Sequence, residues 1–290
     1  MSVKANLRRA ARRAYAASPT PVKAPYRRAK SAYRKATDPL YMLPDYLIIG
    51  AGRSGTSSLY TYLRRNRHVG RSSRKEVHFF DFNYHRGLGW YRRHFPTVRR
   101  KRSAERRHGP PFLTGESTPY YLLHPHVPQR VHETVPSVKL IALLRDPAAR
   151  AYSHYQLQRG YGNETLPFEQ ALERELESVG DGKDPTLAYR NFSYLARGIY
   201  ADQLERWLSL FPRDQLLVLA SEALFRDPAS VEQAVCAFLG IPPRRVADYR
   251  QYNGLPYPKL SAATREFLSD YYRPHNRRLY ELVGQDFGWD

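Results

Sequence analysis

Short apolar runs alternate with longer stretches of helical spacing along most of the chain. Tyr46–Gly50 reads as a buried strand. A glycine-rich turn follows, then helical spacing over Thr56–Asn66 through Leu59, Tyr62 and Leu63. Phe112–Gly115 and Leu216–Leu219 are further strand candidates, and Ser137–Leu144 is a clearer one, ended by Arg145-Asp146-Pro147. Proline at the first helical position loses no bonded N–H, so Asp146-Pro147 predicts a helix start. Helical patterns cover Ala148–Gln158, Phe168–Glu177, Tyr194–Leu210, Ala229–Leu239 and Ser261–Tyr272. Strands alternating with helices predict an α/β fold, a parallel sheet flanked by helices in three layers. The basic run Arg99–Arg107, with only Glu105 against it, reads as a surface loop.

Composition narrows the class. The chain has 290 residues, 42% of them hydrophobic, which excludes a wholly disordered protein. Lys and Arg number 47 against 27 acids, a formal charge of +20. Residues 1–37 hold eleven of the basic residues and no acid. Residues 1–40 therefore read as a basic, flexible arm ahead of one domain over 41–290. A basic surface predicts anionic partners, and for the arm a weak contact with an acidic membrane or polyanion. The single cysteine, Cys236, excludes an internal disulfide and a cysteine-based zinc site. No apolar run approaches the ~20 residues of a membrane span, and the charged start lacks the apolar segment of a secretion signal. The expectation is a cytoplasmic protein, at most peripheral to a membrane.

In parallel sheets, ligands sit beyond the carboxyl ends of the strands. The segment after the first strand, Gly50-Ala-Gly-Arg-Ser-Gly-Thr-Ser57, suits an anion there. Gly52 and Gly55 let the backbone turn and come close to a ligand, with loop N–H groups and the helix dipole aimed at it. Arg53, Ser54, Thr56 and Ser57 add side-chain donors. The ATP pattern G-x-x-x-x-G-K-[ST] fails, because Thr56 stands at the lysine position. The dinucleotide pattern matches at Gly50, Gly52 and Gly55, but Gly70-Arg-Ser-Ser-Arg-Lys75 stands where an acid is required. Arg145 ends another strand and Ser153 lies two helical turns on, a guanidinium fork and a hydroxyl that suit a phosphate. Two anion sites at one sheet edge predict a ligand with two separated anionic groups.

The motifs GAGRSGTSSLYTYL, KEVHFFD, GLGWY, ESTPYYL, LLRDPAARAYSHY and RGIYADQLERWL occur in that order. With YYRPHNRRLYELVGQDFGW near the end, they resemble the sulfotransferases that use 3′-phosphoadenosine 5′-phosphosulfate, and most of all the heparan sulfate glucosaminyl 3-O- and N-sulfotransferase domains. The resemblance runs from Tyr46 to the C-terminus. It implies a P-loop, nucleotide-kinase-like sulfotransferase fold and sulfuryl transfer to a hydroxyl or amine of a carbohydrate, glycolipid or small molecule. It implies that Gly52–Ser57 hold the 5′-phosphosulfate, that Arg145 and Ser153 hold the 3′-phosphate, and that Gly254 and Tyr257 belong to a late cofactor loop. By it Glu76 is the general base, with Arg53 and His78 in the active site. On spacing alone, Glu76 also fits an ion pair with Lys75, and His78 a packed histidine beside Phe79 and Phe80. The chain departs from the family at Arg53 and Ser117, which stand for lysines, and at Asn253 and Leu255 in the late loop. The family's cysteine pair is also absent.

The competing classes are a kinase-like nucleotide-binding enzyme of related fold and a basic polyanion-binding protein. Thr56 argues against the first. Against the second, the charge concentrates in the arm, so no specific nucleic acid is expected. No His and carboxylate cluster has metal-ligand spacing, so no metal is expected.

Overall fold

The computed structural model describes residues 37–178, 191–244, 249–250 and 257–289. The basic arm up to residue 36, and Asn253, Gly254 and Leu255, lie outside the described residues. Five strands, β1 (Tyr46–Gly50), β2 (Val69–Arg71), β3 (Leu113–Ser117), β4 (Lys139–Leu144) and β5 (Leu216–Ala220), form one sheet in the order β2-β3-β1-β4-β5. Every pairing is parallel, with Leu47 opposite both Glu116 and Leu140 and Ile141 opposite Leu217. The expected α/β architecture is present.

Helices cover both faces. The first five are α1 (Thr56–Leu63), α2 (Leu88–Arg92), α3 (Val98–His108), α4 (Val127–Thr134) and α5 (Pro147–Gly160). They are followed by α6 (Phe168–Ser178), α7 (Tyr200–Leu208), α8 (Ser221–Arg226), α9 (Pro228–Leu239) and α10 (Ala262–Val283). Strand side chains alternate between two cores, as period-two geometry requires. Leu47, Ile49, Leu140, Ala142 and Leu144 enter one, with Phe80, Tyr91 and Trp207. Tyr46, Ile48, Ile141 and Leu143 enter the other, with Leu59, Leu63 and Val235. Because β1 and β4 are buried on both faces, their sequences read as unbroken apolar runs. A third cluster joins α5, α6 and α10 through Tyr155, Phe168, Tyr194, Leu268 and Tyr272.

The structure corrects several readings. The basic run 99–107 is not a loop but most of α3. Thr97 caps it by accepting from the Arg100 N–H, Val98 and Ala104 pack on the core, and Gly109 ends it at φ 83°. The expected helix over Tyr194–Leu210 shortens to α7, behind a 3-10 turn at Ala196–Gly198. The last helix runs well beyond Tyr272 and through Pro274, because Asn276, Leu279 and Val283 continue its buried stripe. Asp38–Leu40, assigned to the arm, form a 3-10 turn tied to the domain by the Arg93–Asp38 ion pair.

This framework places the site. β1 lies mid-sheet between β3 and β4, so the loops after these three strands converge at one edge. Gly50 is required there, since a Cβ would lie 2.6 Å from that of Leu122. Gly55, at φ 86°, makes the left-handed turn into α1.

Candidate active site

A cleft of about 680 Å³ opens at this edge, walled by Gly52, Arg53, Thr56 and Ser57 of the glycine loop, by Lys75, Glu76 and His78, and by α5. Among the described residues, no acceptor takes the N–H groups of Gly52, Arg53 or Thr56. Thr56 opens α1, so its N–H has no intrahelical partner. Arg53 sits at φ 73°, a left-handed conformation costly for a side chain with a Cβ, as is often seen at ligand sites. Ser54 is fully buried, its N–H closing a turn onto the Ala51 carbonyl at 3.3 Å and its own carbonyl accepting from Ser221. Ser54 and Gly55 thus shape the loop without lining the cleft.

The residues expected to form a second anion site meet the glycine loop. Arg53 Nε donates to Ser153 Oγ at 3.1 Å, and Arg145 NH1 donates to the Arg53 carbonyl at 3.3 Å. Burial and the neighbouring Arg145 and Arg150 hold the Arg53 pKa below its ordinary value. Burial pushes the Tyr257 phenol up, but hydrogen bonds from Ser153 and Arg145 and the charges of Arg145 and Arg53 outweigh it and lower it. Arg145 and Tyr257 also line a cavity of about 440 Å³ with Lys259 and Arg265. Cations crowd at one end of the sheet, an arrangement that a bound anion stabilises.

The KEVHFFD segment forms the opposite wall. Lys75 Nζ donates to Ser57 Oγ at 2.7 Å and to Glu76 Oε1 at 2.8 Å. His78 lies between two carboxylates, Nδ1 to Asp81 Oδ2 at 2.7 Å and Nε2 to Glu76 Oε2 at 3.3 Å. Burial alone would lower the His78 pKa, but these two partners raise it to about 9. Burial likewise favours protonated Glu76, yet hydrogen bonds and charge from His78 and Lys75 prevail and lower it to about 2. Glu76 keeps 41% of its side chain exposed, so water screens part of that pull.

The segment is held from behind by Glu116. This carboxylate is fully buried, and burial raises its pKa above the ordinary value. It accepts from the Val77 N–H, Thr118 Oγ1 and the phenols of Tyr91 and Tyr121. The Ser117 N–H donates to the Lys75 carbonyl at 3.0 Å. Residues 75–81 are thereby fixed to the end of β3.

The sequence-selected residues Gly52, Arg53, Thr56, Ser57, Glu76 and His78 thus share one cleft, and Arg145, Ser153 and Tyr257 adjoin it. Sequence reasoning missed that Lys75 reaches the glycine loop, which supplies a cation that Thr56 does not. It also missed Asp81, whose i,i+3 spacing from His78 inside one motif was the available signal. Among the described residues, no group of His, Cys, Asp and Glu is arranged to hold a metal.

A family model for the sulfotransferase domain matches residues 43–265. The chain is a member of the sulfotransferase family. Heparan sulfate glucosamine 3-O-sulfotransferase 3B1 of Mus musculus is 33% identical over 273 residues, 86% of this chain and 65% of that protein. Heparan sulfate glucosamine 3-O-sulfotransferase 6 of the same species is 34% identical over 274 residues, 85% of this chain and 74% of that protein. A crystal structure of a sulfotransferase from Alicyclobacillus acidocaldarius is 30% identical, with a TM-score of 0.67 over 86% of this chain and 99% of that one. The chain spans 65%, a little under two thirds, of the length of the first of these relatives.

The relatives overturn the expected cytoplasmic location. Two are named for heparan sulfate, and another, 26% identical, is the membrane-associated sulfotransferase kil1 of Dictyostelium discoideum. The expectation rested on the lack of an apolar run and of a secretion-signal segment, and an absence of that kind does not establish a compartment. Among the described residues, no helix of this sulfotransferase is long and apolar enough to cross a membrane.

Proposed function

We propose that the protein moves a sulfuryl group from 3′-phosphoadenosine 5′-phosphosulfate to a hydroxyl or amine of a carbohydrate acceptor, by in-line displacement. The carrying observation is the Arg53–Ser153 contact, which joins the glycine loop and the α5 anion site into one surface facing Glu76. The donor has anionic groups at the 3′ and 5′ positions of its ribose, and this surface offers donors for both. In this reading the glycine-loop N–H groups, Arg53, Thr56 and Ser57 hold the phosphosulfate, and Arg145, Ser153 and Tyr257 the 3′-phosphate. The heparan sulfate relatives support a glycan as acceptor.

Charge builds on the leaving oxygen as the bond to sulfur breaks, so cations must face it. Arg53 and Lys75 flank that position. Lys75 is held by Ser57 on the donor side and by Glu76 on the acceptor side. Glu76 takes the acceptor proton. Its low pKa makes it a weak base in the resting site, so the proton moves late, once attack has made the hydroxyl acidic. Asp81 and Glu76 keep His78 an imidazolium, and Asp81 fixes its ring.

Calorimetry with 3′-phosphoadenosine 5′-phosphate in chelator tests the donor site. Tight binding, with 5′-AMP bound at least about tenfold more weakly, is expected from charge-assisted contacts to the 3′-phosphate. Equal affinity for the two nucleotides contradicts it.

A further inference from the structure

The α5 wall of the cleft carries a feature that sulfuryl transfer does not use. Tyr161, just past the end of α5, is 68% exposed yet lines the cleft. Among the described residues its side chain has neither a hydrogen bond nor a ring partner. Solvating so large an apolar face is unfavourable, so an exposed aromatic at a cleft mouth points to a ligand that covers it. It lines the same cleft as Arg53 and Glu76.

The loop that carries the ring is rigid. Tyr161 N–H donates to the Leu157 carbonyl, and Gly162 turns the chain at φ 72°. Buried Glu164 then anchors the loop by pairing with Arg174 and accepting from the Tyr194 phenol and the Thr165 and Leu166 N–H groups. Beside the ring stand amides held in one orientation. Gln158 Oε1 accepts from Asn163 Nδ2 at 2.9 Å, which turns the Gln158 N–H toward His154 Nε2 at 3.3 Å. Burial and nearby arginines lower the His154 pKa, which favours the neutral ring that can accept from Gln158. Asn163 therefore presents its carbonyl oxygen and one N–H from an exposed, fixed position. Asn191 also lines this wall.

We propose that Tyr161 and the amides of Asn163, Gln158 and Asn191 form a subsite for one pyranose ring of the acceptor, outside the unit that is sulfated. A pyranose has an apolar C–H face, which suits the exposed ring, and a hydroxyl edge, which suits fixed amides that donate and accept. A flat aromatic ligand would use the tyrosine but leave the amides unpaired. The proposal rests on the carbohydrate-acceptor reading above and extends it to a second sugar unit.

The probe is an N-sulfated heparan-type hexasaccharide, with its binding measured by calorimetry on protein saturated with 3′-phosphoadenosine 5′-phosphate, and initial sulfation rates measured in parallel. Tyr161→Ala is expected to weaken hexasaccharide binding and raise its KM by about tenfold, while kcat stays within about twofold. Affinity for the nucleotide should not change. Tyr161→Phe keeps the ring and should match the parent, whereas Asn163→Ala should lose affinity. Unchanged hexasaccharide binding in Tyr161→Ala overturns the subsite. A loss of nucleotide affinity overturns it too, since the ring then stacks on adenine. Loss of saccharide binding by Tyr161→Ala, in a protein that binds the saccharide without sulfating it, upholds the subsite and sinks the reaction reading. Sulfation of p-nitrophenol by a protein that binds no saccharide sinks both.

Discussion

Arg53 and Ser153, one hundred residues apart, meet through a 3.1 Å hydrogen bond from Nε to Oγ. The contact spans the β1–α1 loop and the second turn of α5, so one side chain belongs to both of the proposed anion sites. A doubly anionic ligand bound here has its two ends coupled through Arg53.

That coupling predicts the behaviour of Arg145→Ala. Removing this guanidinium takes a donor from the 3′-phosphate end and the hydrogen bond to the Arg53 carbonyl. Affinity for 3′-phosphoadenosine 5′-phosphate should fall by about 2 kcal/mol, the usual worth of a charge-assisted hydrogen bond, and that for 5′-AMP by much less. Calorimetry on both nucleotides checks this. Equal losses mean that Arg145 supports the loop without reading the 3′-phosphate.

Glu76→Gln and Lys75→Met separate the two halves of the chemistry. Glu76→Gln keeps shape but takes no proton, and should lower kcat by about 10²–10⁴ with nucleotide affinity nearly constant. Lys75→Met removes a cation that faces developing charge, and should lower kcat by about 10²–10³. Steady-state rates beside nucleotide binding decide, and a Lys75→Met enzyme of normal kcat removes the ammonium from the mechanism.

The pH dependence follows from the shifted pairs. Glu76, lowered to about 2, stays ionised throughout ordinary assay conditions, so it gives no acidic limb there. His78 is raised from 6.5 to about 9, so its contribution to stability is complete below pH 6.5 and disappears as pH rises through 9. The parent Tm should therefore fall across that window more than the Tm of His78→Asn. Parallel curves would show that the imidazolium does not bridge Glu76 and Asp81 in solution.

Glu116→Ala tests the support behind the KEVHFFD segment. It leaves the Val77 N–H and the Tyr91 and Tyr121 phenols without their acceptor in a sealed site. The expected cost is roughly 3–5 kcal/mol in urea denaturation, with kcat per folded molecule reduced as residues 75–78 loosen. A loss under about 1 kcal/mol means that the network carries little of the fold.

Features written contiguously in the chain were legible. β1, the glycine loop and α1 fall within eighteen residues, and each leaves its own pattern: apolar run, glycines, helical spacing. Arg145 and Ser153 were legible through the rule that ligands sit at strand ends. What pairs across the fold was not legible, because sequence spacing carries no trace of it. Lys75 meets Ser57 across the sheet edge, where Ser117 of β3 holds the Lys75 carbonyl. Tyr161 is informative only because its exposure is known. β2 has three residues, too few to show a period, and α3 is obscured by arginines whose anchors are only Val98 and Ala104. The compartment was misjudged because it was inferred from features that the sequence lacks, and an absence does not report a location.

The central claim is that sulfur, not phosphorus, moves at this site. Its most direct test is incubation with 35S-labelled 3′-phosphoadenosine 5′-phosphosulfate and an N-sulfated heparan-type hexasaccharide in chelator, with ATP in a parallel reaction. The account predicts label on the saccharide, one 3′-phosphoadenosine 5′-phosphate released per sulfate transferred, and no phosphate transferred from ATP. Phosphorylated saccharide from ATP, with no label from the sulfate donor, would contradict it.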